Sequence, residues 1–306
     1  MRLVFMGSAE LAIPSLQGIL EAGKDEVVGV VSQPDRPAGR KRKLAPNPLK
    51  AFAQEQGLLL HLPEKIGEAS SVEQLAAWKP DLFVVVAYGQ YIPSRVIKLA
   101  PKEAINLHPS LLPKYRGAAP IQWALLNGDS ITGASIITLA QKMDAGDILR
   151  QETLPILPDD TSATLHDKLA QFGASLLLKT LDDFRSGTVS RIPQKEEDAV
   201  EIRKLSKEDS PIDWSCSAQT IRNQIRALDP WPGTTCKLSS GETLKIWKAT
   251  QEEGVGKPGE LLDDRLLVAT GDQALRLLEI QPPGKKRMPA SAFLNGHPLQ
   301  RGSFLG

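Results

Sequence analysis

The chain has 306 residues, 41% of them hydrophobic and 24% charged, with a formal net charge of +1. That length calls for two domains, the composition excludes wholesale disorder, and the near-neutral balance supplies no global pull toward nucleic acid. No apolar run approaches the ~18–20 residues needed to cross a bilayer, and the opening Met1-Arg2-Leu3-Val4-Phe5-Met6-Gly7 is broken too early for a signal peptide. Cys216 and Cys236 lack metal-ligand spacing, so neither a zinc site nor a disulfide framework is expected, and the cytoplasm is the default compartment.

Residues 2–6 read as a strand, followed by an amphipathic helix near Leu11 to Glu21, a strand at Val27–Val31 and a helix from Leu49 to Gln56. Asp81 to Ala87 is a continuous β-branched and aromatic run, the pattern of a strand buried on both faces of a parallel sheet. Ala104–His108 is another strand, with Asn106 and His108 two apart and therefore on one face. A helix near Ala119 to Leu126 and a strand from Gly133 to Leu139 follow. The alternation predicts an α/β fold: an open, doubly wound, mostly parallel Rossmann-like sheet. After a helix ending near Phe184 the composition turns polar, as a linker would. From Ile212 onward, short strand-like runs between glycines, with one helix around Ala218 to Arg226, predict a small OB-like β-barrel. The expected domains are 1–189 and 209–306, joined by a linker over 190–208.

Two features carry chemistry. Asn106-Leu107-His108-Pro109-Ser110-Leu111-Leu112-Pro113 sets an amide and an imidazole at a strand end, and Met143-Asp144 adds a carboxylate from a later loop. An amide donor, a group that titrates near neutral pH and a carboxylate to hold it suit acyl-type transfer, in which an oxyanion is stabilised and a proton moved. Each residue taken alone also has a plainer role open to it: turn formation for Asn106 and Asp144, core satisfaction for His108. In open α/β sheets the ligand crevice lies beyond the carboxyl ends of the strands, which predicts Gly7, Tyr88, the 106–113 turn and the 140–146 loop at one rim. No dinucleotide fingerprint or Walker pattern occurs, so a nucleotide cofactor is not indicated. The second feature is charge: residues 33–50 carry six bases (Arg36, Arg40, Lys41, Arg42, Lys43, Lys50) against one acid, Asp35. The prolines at 34, 37, 46 and 48 and Gly39 make this a long, semi-rigid projecting loop.

The stretch Asn106 to Ile121, with Met143-Asp144-Ala145-Gly146-Asp147-Ile148-Leu149, resembles the signature of the 10-formyltetrahydrofolate-dependent formyltransferases. Val4–Ala12, Gln33–Arg40, Ile212–Trp214, Asn223–Gly233 and Gln281–Met288 are similar to the branch that acts on methionyl initiator tRNA, and the resemblance covers nearly the whole chain. Two departures stand out: Gly7-Ser8-Ala9-Glu10 where the family usually has Gly-Thr-Pro-x, and Met143-Asp144-Ala145 where it usually has Leu-Asp-Thr. Neither removes the amide, the imidazole or the carboxylate.

The resemblance implies a 10-formyltetrahydrofolate donor, a methionyl initiator tRNA acceptor, no metal, and a protein that works as a monomer away from membranes. It implies catalytic roles for Asn106 and His108 at the oxyanion and for Asp144 behind His108. Ser110, Leu111, Leu112, Pro113 and Tyr88 would line the folate, and Arg36, Arg40, Arg42 and Lys43, with Lys285, Lys286 and Arg287 of the barrel, would contact the tRNA. A related enzyme acting on an amino sugar nucleotide has no need of the basic arm. A glycinamide ribonucleotide formyltransferase would leave the barrel surplus, and a formyltetrahydrofolate hydrolase would be expected to carry a regulatory domain before the first strand. A catalytically silent tRNA-binding homologue is disfavoured by retention of Asn106, His108 and Asp144.

Overall fold

The structure is a computed structural model that describes residues 1–38 and 43–306, with the side chains of 37, 38 and 43–45 excepted. In chain order the elements are β1 (Arg2–Gly7), α1 (Ile13–Ala22), β2 (Glu26–Val31), β3 (Arg36–Ala38), β4 (Lys43–Ala45), α2 (Pro48–Glu55), β5 (Leu60–His61) and α3 (Ala69–Ala77). Then come β6 (Leu82–Val86), α4 (Ser94–Ile97), β7 (Glu103–His108), β8 (Lys114–Gly117), α5 (Pro120–Leu126), β9 (Ile131–Thr138), β10 (Ile148–Pro155), α6 (Ser162–Ser186) and β11 (Val200–Ile202). The remainder is α7 (Ala218–Ala227), β12 (Thr234–Lys237), β13 (Thr243–Glu252), β14 (Leu267–Ala269), β15 (Ala274–Gln281), β16 (Met288–Pro289) and α8 (Ala290–Leu294). Two compact units result. One comprises residues 1–117, 131–155 and 166–201, the other 118–130, 156–165 and 202–306, so the division is discontinuous in sequence.

The first unit is built on a seven-stranded sheet in the order β10-β9-β7-β6-β1-β2-β5. Its central strands are parallel, and β9 runs antiparallel to both β7 and β10. The residues of β1 and β6 are apolar on both faces because both faces are covered. Leu3, Phe5, Val84, Ile105 and Leu107 pack with Leu16 and Ile19 of α1, Leu49 of α2 and Leu177 and Leu181 of α6. Val4, Met6 and Val85 pack on the other face with Leu75 of α3, Trp78 and Val96 of α4. Helices on both sides of a mostly parallel sheet make the expected doubly wound fold. The helix at 69–77, the strands β8 and β11, and the antiparallel β10 were not anticipated from the sequence; each is short or lies on the sheet's margin, where periodicity is weak.

The described ends of the basic loop pair with each other. β3 and β4 form an antiparallel ribbon, with Arg36 opposite Ala45 and Ala38 opposite Lys43. At its root, Asn47 caps α2 by accepting from the Lys50 backbone N–H at 3.2 Å and gives its amide to the Gln33 carbonyl at 2.8 Å.

In the second unit β12, β13, β15 and β14 form an antiparallel sheet in that order, with β16 added against β15. Register shifts at Ile246–Lys248 and Lys248–Ala249 interrupt the β13–β15 ladder, and such bulges bend a strand. The sheet curls into an open half-barrel whose two end strands, β12 and β14, do not pair with each other among the described residues. Ile221 and Ile225 of α7, whose N-terminus Ser217 caps, meet Leu244, Ile246, Leu275, Leu277 and Phe293 in its core. No helix among the described residues is long and apolar enough to cross a membrane.

Gly29 of β2 tests the sheet-to-helix packing. A Cβ there would lie 2.5 Å from two carbons of the Trp78 indole, within a closed core. Gly29→Ala is expected to destabilise the first unit by about 1–3 kcal/mol through overpacking, read as a lower urea midpoint with an unchanged slope.

Candidate active site

The site starts from β7. In that strand Ile105 and Leu107 turn toward the α1–α6 core and Ala104 toward the opposite one, so strand alternation places Asn106 and His108 on the Ala104 face. Asn106 is half-buried, and its amide has no hydrogen-bond partner among the described residues. His108 is enclosed, at 5% exposure. Its Nε2 lies 2.9 Å from the Tyr115 carbonyl oxygen, and its Nδ1 lies 3.6 Å from Asp144 Oδ2. Both neighbours of the ring are acceptors. The Nε2 contact is a hydrogen bond, whereas the Nδ1 contact with Asp144 is too long for one.

Asp144 arrives by a route that strand order alone did not predict. Because β9 is antiparallel, its carboxyl end, Thr138, lies beside Ile105, and His108 lies beside Ser135. The 139–147 connection therefore leaves from the opposite end of the sheet and not from the rim expected for it. It folds back over the face to reach His108. Three features hold it there. Thr138 and Asp147 close the turn through a backbone bond of 3.0 Å and a bond from the Asp147 N–H to Thr138 Oγ1 of 3.0 Å. Gly146 sits where a Cβ would come within 1.8 Å of the Thr138 carbonyl oxygen, a space only glycine fits. Asp144 has φ +53°, a left-handed conformation that Asp tolerates better than most residues, and its Oδ2 accepts the Gly117 N–H at 2.9 Å.

The segment between His108 and Gly117 is knit to the sheet by polar bonds. Ser110 Oγ donates to the Lys114 carbonyl at 2.7 Å, and Ser135 Oγ donates to the Ser110 carbonyl at 2.7 Å. Gln151 of β10 donates to the Leu112 carbonyl at 2.9 Å and to Ser135 Oγ at 2.8 Å. Leu112 is buried with Ile137 and Ile148, while Leu111 and Pro113 remain half-exposed. Tyr88 is buried in the second core; its carbonyl accepts from Ser8 Oγ and Gln33 Nε2, and its phenol oxygen has no partner. Burial pushes the Tyr88 phenol well above its usual range, so the ring is neutral. Of the residues expected to line a folate, the structure therefore leaves Leu111 and Pro113 open and encloses Ser110, Leu112 and Tyr88.

Two polar neighbours of the turn escaped the sequence reading. Arg116 is 2% exposed, with Nε on Gln194 Oε1 at 2.9 Å and one terminal nitrogen on Glu196 at 2.8 Å. Glu196 also binds Lys142 at 2.9 Å, and these two cations, Lys142 foremost, hold its carboxyl below the usual range. Gln194 lies in the stretch read as linker. Arg116 stood inside the quoted motif, but nothing in its spacing marks a buried cation.

At the basic loop, Arg36 pairs with Glu64 at 2.8 Å and Lys50 with Asp35 at 2.8 Å. The Lys50 ammonium and the Asn47 N–H hold the Asp35 carboxyl below its ordinary value. Arg40 and Arg42 lie outside the described residues, as does the side chain of Lys43. In the half-barrel, Lys285 and Lys286 are exposed. Arg287 is engaged: it pairs with Asp229 at 2.5 Å and its guanidinium sits 3.6 Å from the centroid of the Trp247 ring.

Comparison with known proteins divides the chain into two contiguous stretches. Residues 1–181 match the formyl transferase family and residues 204–298 the formyl transferase C-terminal domain. Among solved structures, HypX from Aquifex aeolicus in complex with tetrahydrofolic acid superposes with a TM-score of 0.66 at 22% identity, covering all of this chain and half of that one. An N-formyltransferase from Helicobacter canadensis, in complex with folinic acid and dTDP-3-aminofucose, gives a TM-score of 0.67 at 20% identity, over 92% of this chain and 98% of that one. The fold and the domain matches define a formyl transferase.

Sequence relatives narrow the class. The methionyl-tRNA formyltransferase of Moorella thermoacetica is 44% identical over 311 residues, covering 100% of this chain and 99% of that protein. That of Desulfotalea psychrophila is 45% identical over 301 residues, covering 97% and 93%. The chain belongs to the methionyl-tRNA formyltransferase family.

Gly146→Ala is expected to unseat the turn and with it Asp144, lowering turnover about tenfold or more, since small displacements of catalytic groups are costly. Steady-state kinetics beside a thermal melt would check this, and an unchanged kcat would count against the close fit at Thr138.

Proposed function

We propose that Asn106, His108 and Asp144 form the centre at which this chain transfers the formyl group of 10-formyltetrahydrofolate to the α-amine of methionyl initiator tRNA. One observation carries the assignment: an imidazole between a carboxylate and a carbonyl, on the same strand face as an amide with no hydrogen-bond partner among the described residues. In the attack, the amine nitrogen bonds to the formyl carbon and the carbonyl electron pair moves onto oxygen. Asn106 Nδ2 donates to that oxygen. His108 Nδ1, 3.6 Å from Asp144 Oδ2 and not committed to it by a hydrogen bond, would present its proton to the same oxygen. One such donor is worth on the order of 3–4 kcal/mol. Asp144, fixed by the Gly117 N–H, supports His108 and accepts the amine proton by way of a water. Collapse of the oxyanion then breaks the bond to the folate N10, which takes up a proton.

Leu111 and Pro113 offer apolar surface to the folate, with Ser110, Leu112 and Tyr88 supporting it from behind. Residues 1–189 carry the chemistry, and 209–306 hold the tRNA through backbone contacts from Lys285, Lys286 and Arg287 that position without specifying. Arg36, Arg40, Arg42 and Lys43 meet the acceptor end, where arginine neutralises phosphate and stacks on unpaired bases. The protein acts as a monomer in the cytoplasm.

Incubation with 10-formyltetrahydrofolate and methionyl initiator tRNA should yield formylmethionyl-tRNA. His108→Ala and Asp144→Ala are each expected to lower kcat by about 10²–10³-fold with little change in melting temperature; near-normal turnover in purified Asp144→Ala would end the assignment. Arg40→Ala should raise the KM for tRNA and spare that for folate, and a tRNA KM insensitive to salt would argue against an electrostatic role for the loop.

A further inference from the structure

We propose that Gln194 is a positioning residue for formyl transfer, acting through the backbone of the 144–146 turn; the inference rests on the reading of Asp144 as part of the catalytic centre. Gln194 Nε2 donates to the Asp144 carbonyl at 2.7 Å and to the Gly146 carbonyl at 2.7 Å. Its Oε1 accepts from Arg116 Nε at 2.9 Å. Arginine Nε is only ever a donor, so the amide orientation is fixed: oxygen toward Arg116, both protons toward the turn. Arg116 lies between Tyr115, whose carbonyl meets His108 Nε2, and Gly117, whose N–H meets Asp144 Oδ2. One amide therefore joins the strand that grips both catalytic side chains to the main chain of the turn that presents one of them. Asp144 enters this arrangement with a left-handed backbone, which needs outside support to persist.

The chemistry of glutamine is specific here. Leucine has the bulk and none of the bonds. Glutamate keeps an acceptor for Arg116 but turns a carboxylate toward two carbonyl oxygens. Neither change touches Asn106, His108 or the Asp144 side chain.

The test uses the full chain with 10-formyltetrahydrofolate and methionyl initiator tRNA, comparing wild type, Gln194→Leu, Gln194→Glu, Asp144→Ala and the Gln194→Leu/Asp144→Ala pair, each with a thermal melt. Both single Gln194 variants are expected to lose about 10–100-fold in kcat with both KM values and the melting temperature near wild type. The double variant should be no slower than Asp144→Ala alone, because a residue that acts only through Asp144 has nothing left to position. The proposal is overturned if both Gln194 variants keep wild-type kcat while Asp144→Ala is impaired. It is equally overturned if Gln194→Leu slows the Asp144→Ala enzyme by the same factor as wild type, or if the loss in both variants tracks loss of folded protein. Full activity in Asp144→Ala itself would sink the catalytic assignment instead.

Discussion

The backbone of β8 is the constraint on which the site depends. One carbonyl, that of Tyr115, meets the imidazole of His108, and one N–H, that of Gly117, meets the carboxylate of Asp144. These groups lie two residues apart on a short segment, with Tyr115 at φ +68°, whose own position is set by bonds from β11 and from the Ser110–Lys114 turn. Backbone groups cannot change rotamer, so they fix the spacing of two flexible side chains with little entropy left to lose. Ser135 and Gln151, which anchor the 110–112 segment from the sheet, belong to the same support. The reactive side chains are few, and the polar scaffold behind them is much larger.

The two ends of the chain's chemistry are built differently. Asn106 and His108 come from the middle and end of a buried strand, where the ladder with β6 and β9 holds the backbone. Asp144 comes from a turn that must bend back over the sheet. In the proposed reaction, the strand-borne groups would give a fixed point for the developing charge and the turn would bring the proton acceptor to it. The substitutions in the turn relative to the family pattern, Met143 and Ala145, leave this geometry standing, because the bonds that hold the turn are made by its backbone and by Gly146.

Much of this was legible in the sequence. Period-two alternation put Asn106 and His108 on one face, the run at 2–6 read as a strand, the continuous apolar run from Asp81 to Ala87 marked a doubly covered one, and the short glycine-separated runs from Ile212 onward read as a barrel. The direction of β9 was not legible: apolar spacing reports which residues are buried and carries no information about which way a strand runs. Nor was the part played by Gln194, which lies among charged residues that look like a solvated connection. A single amide bridging three partners leaves no periodic trace. Burial of Arg116 was hidden for the same reason, since its partners, Gln194 and Glu196, are far from it in the chain.

The root of the basic loop bears on how the protein finds a polyanion. Of the six bases counted there, Arg36 and Lys50 are already matched by Glu64 and Asp35. The other four bases of the run, Arg40 to Lys43, are consecutive in the sequence. Counterion release counts only the cations that replace condensed ions on a nucleic acid, at a slope of roughly 0.7–0.9 per phosphate neutralised. Arg36 and Lys50, each already held by a carboxylate, would have to give up that partner before adding to the slope, so the sequence count of six bases overstates what the root of the loop can contribute.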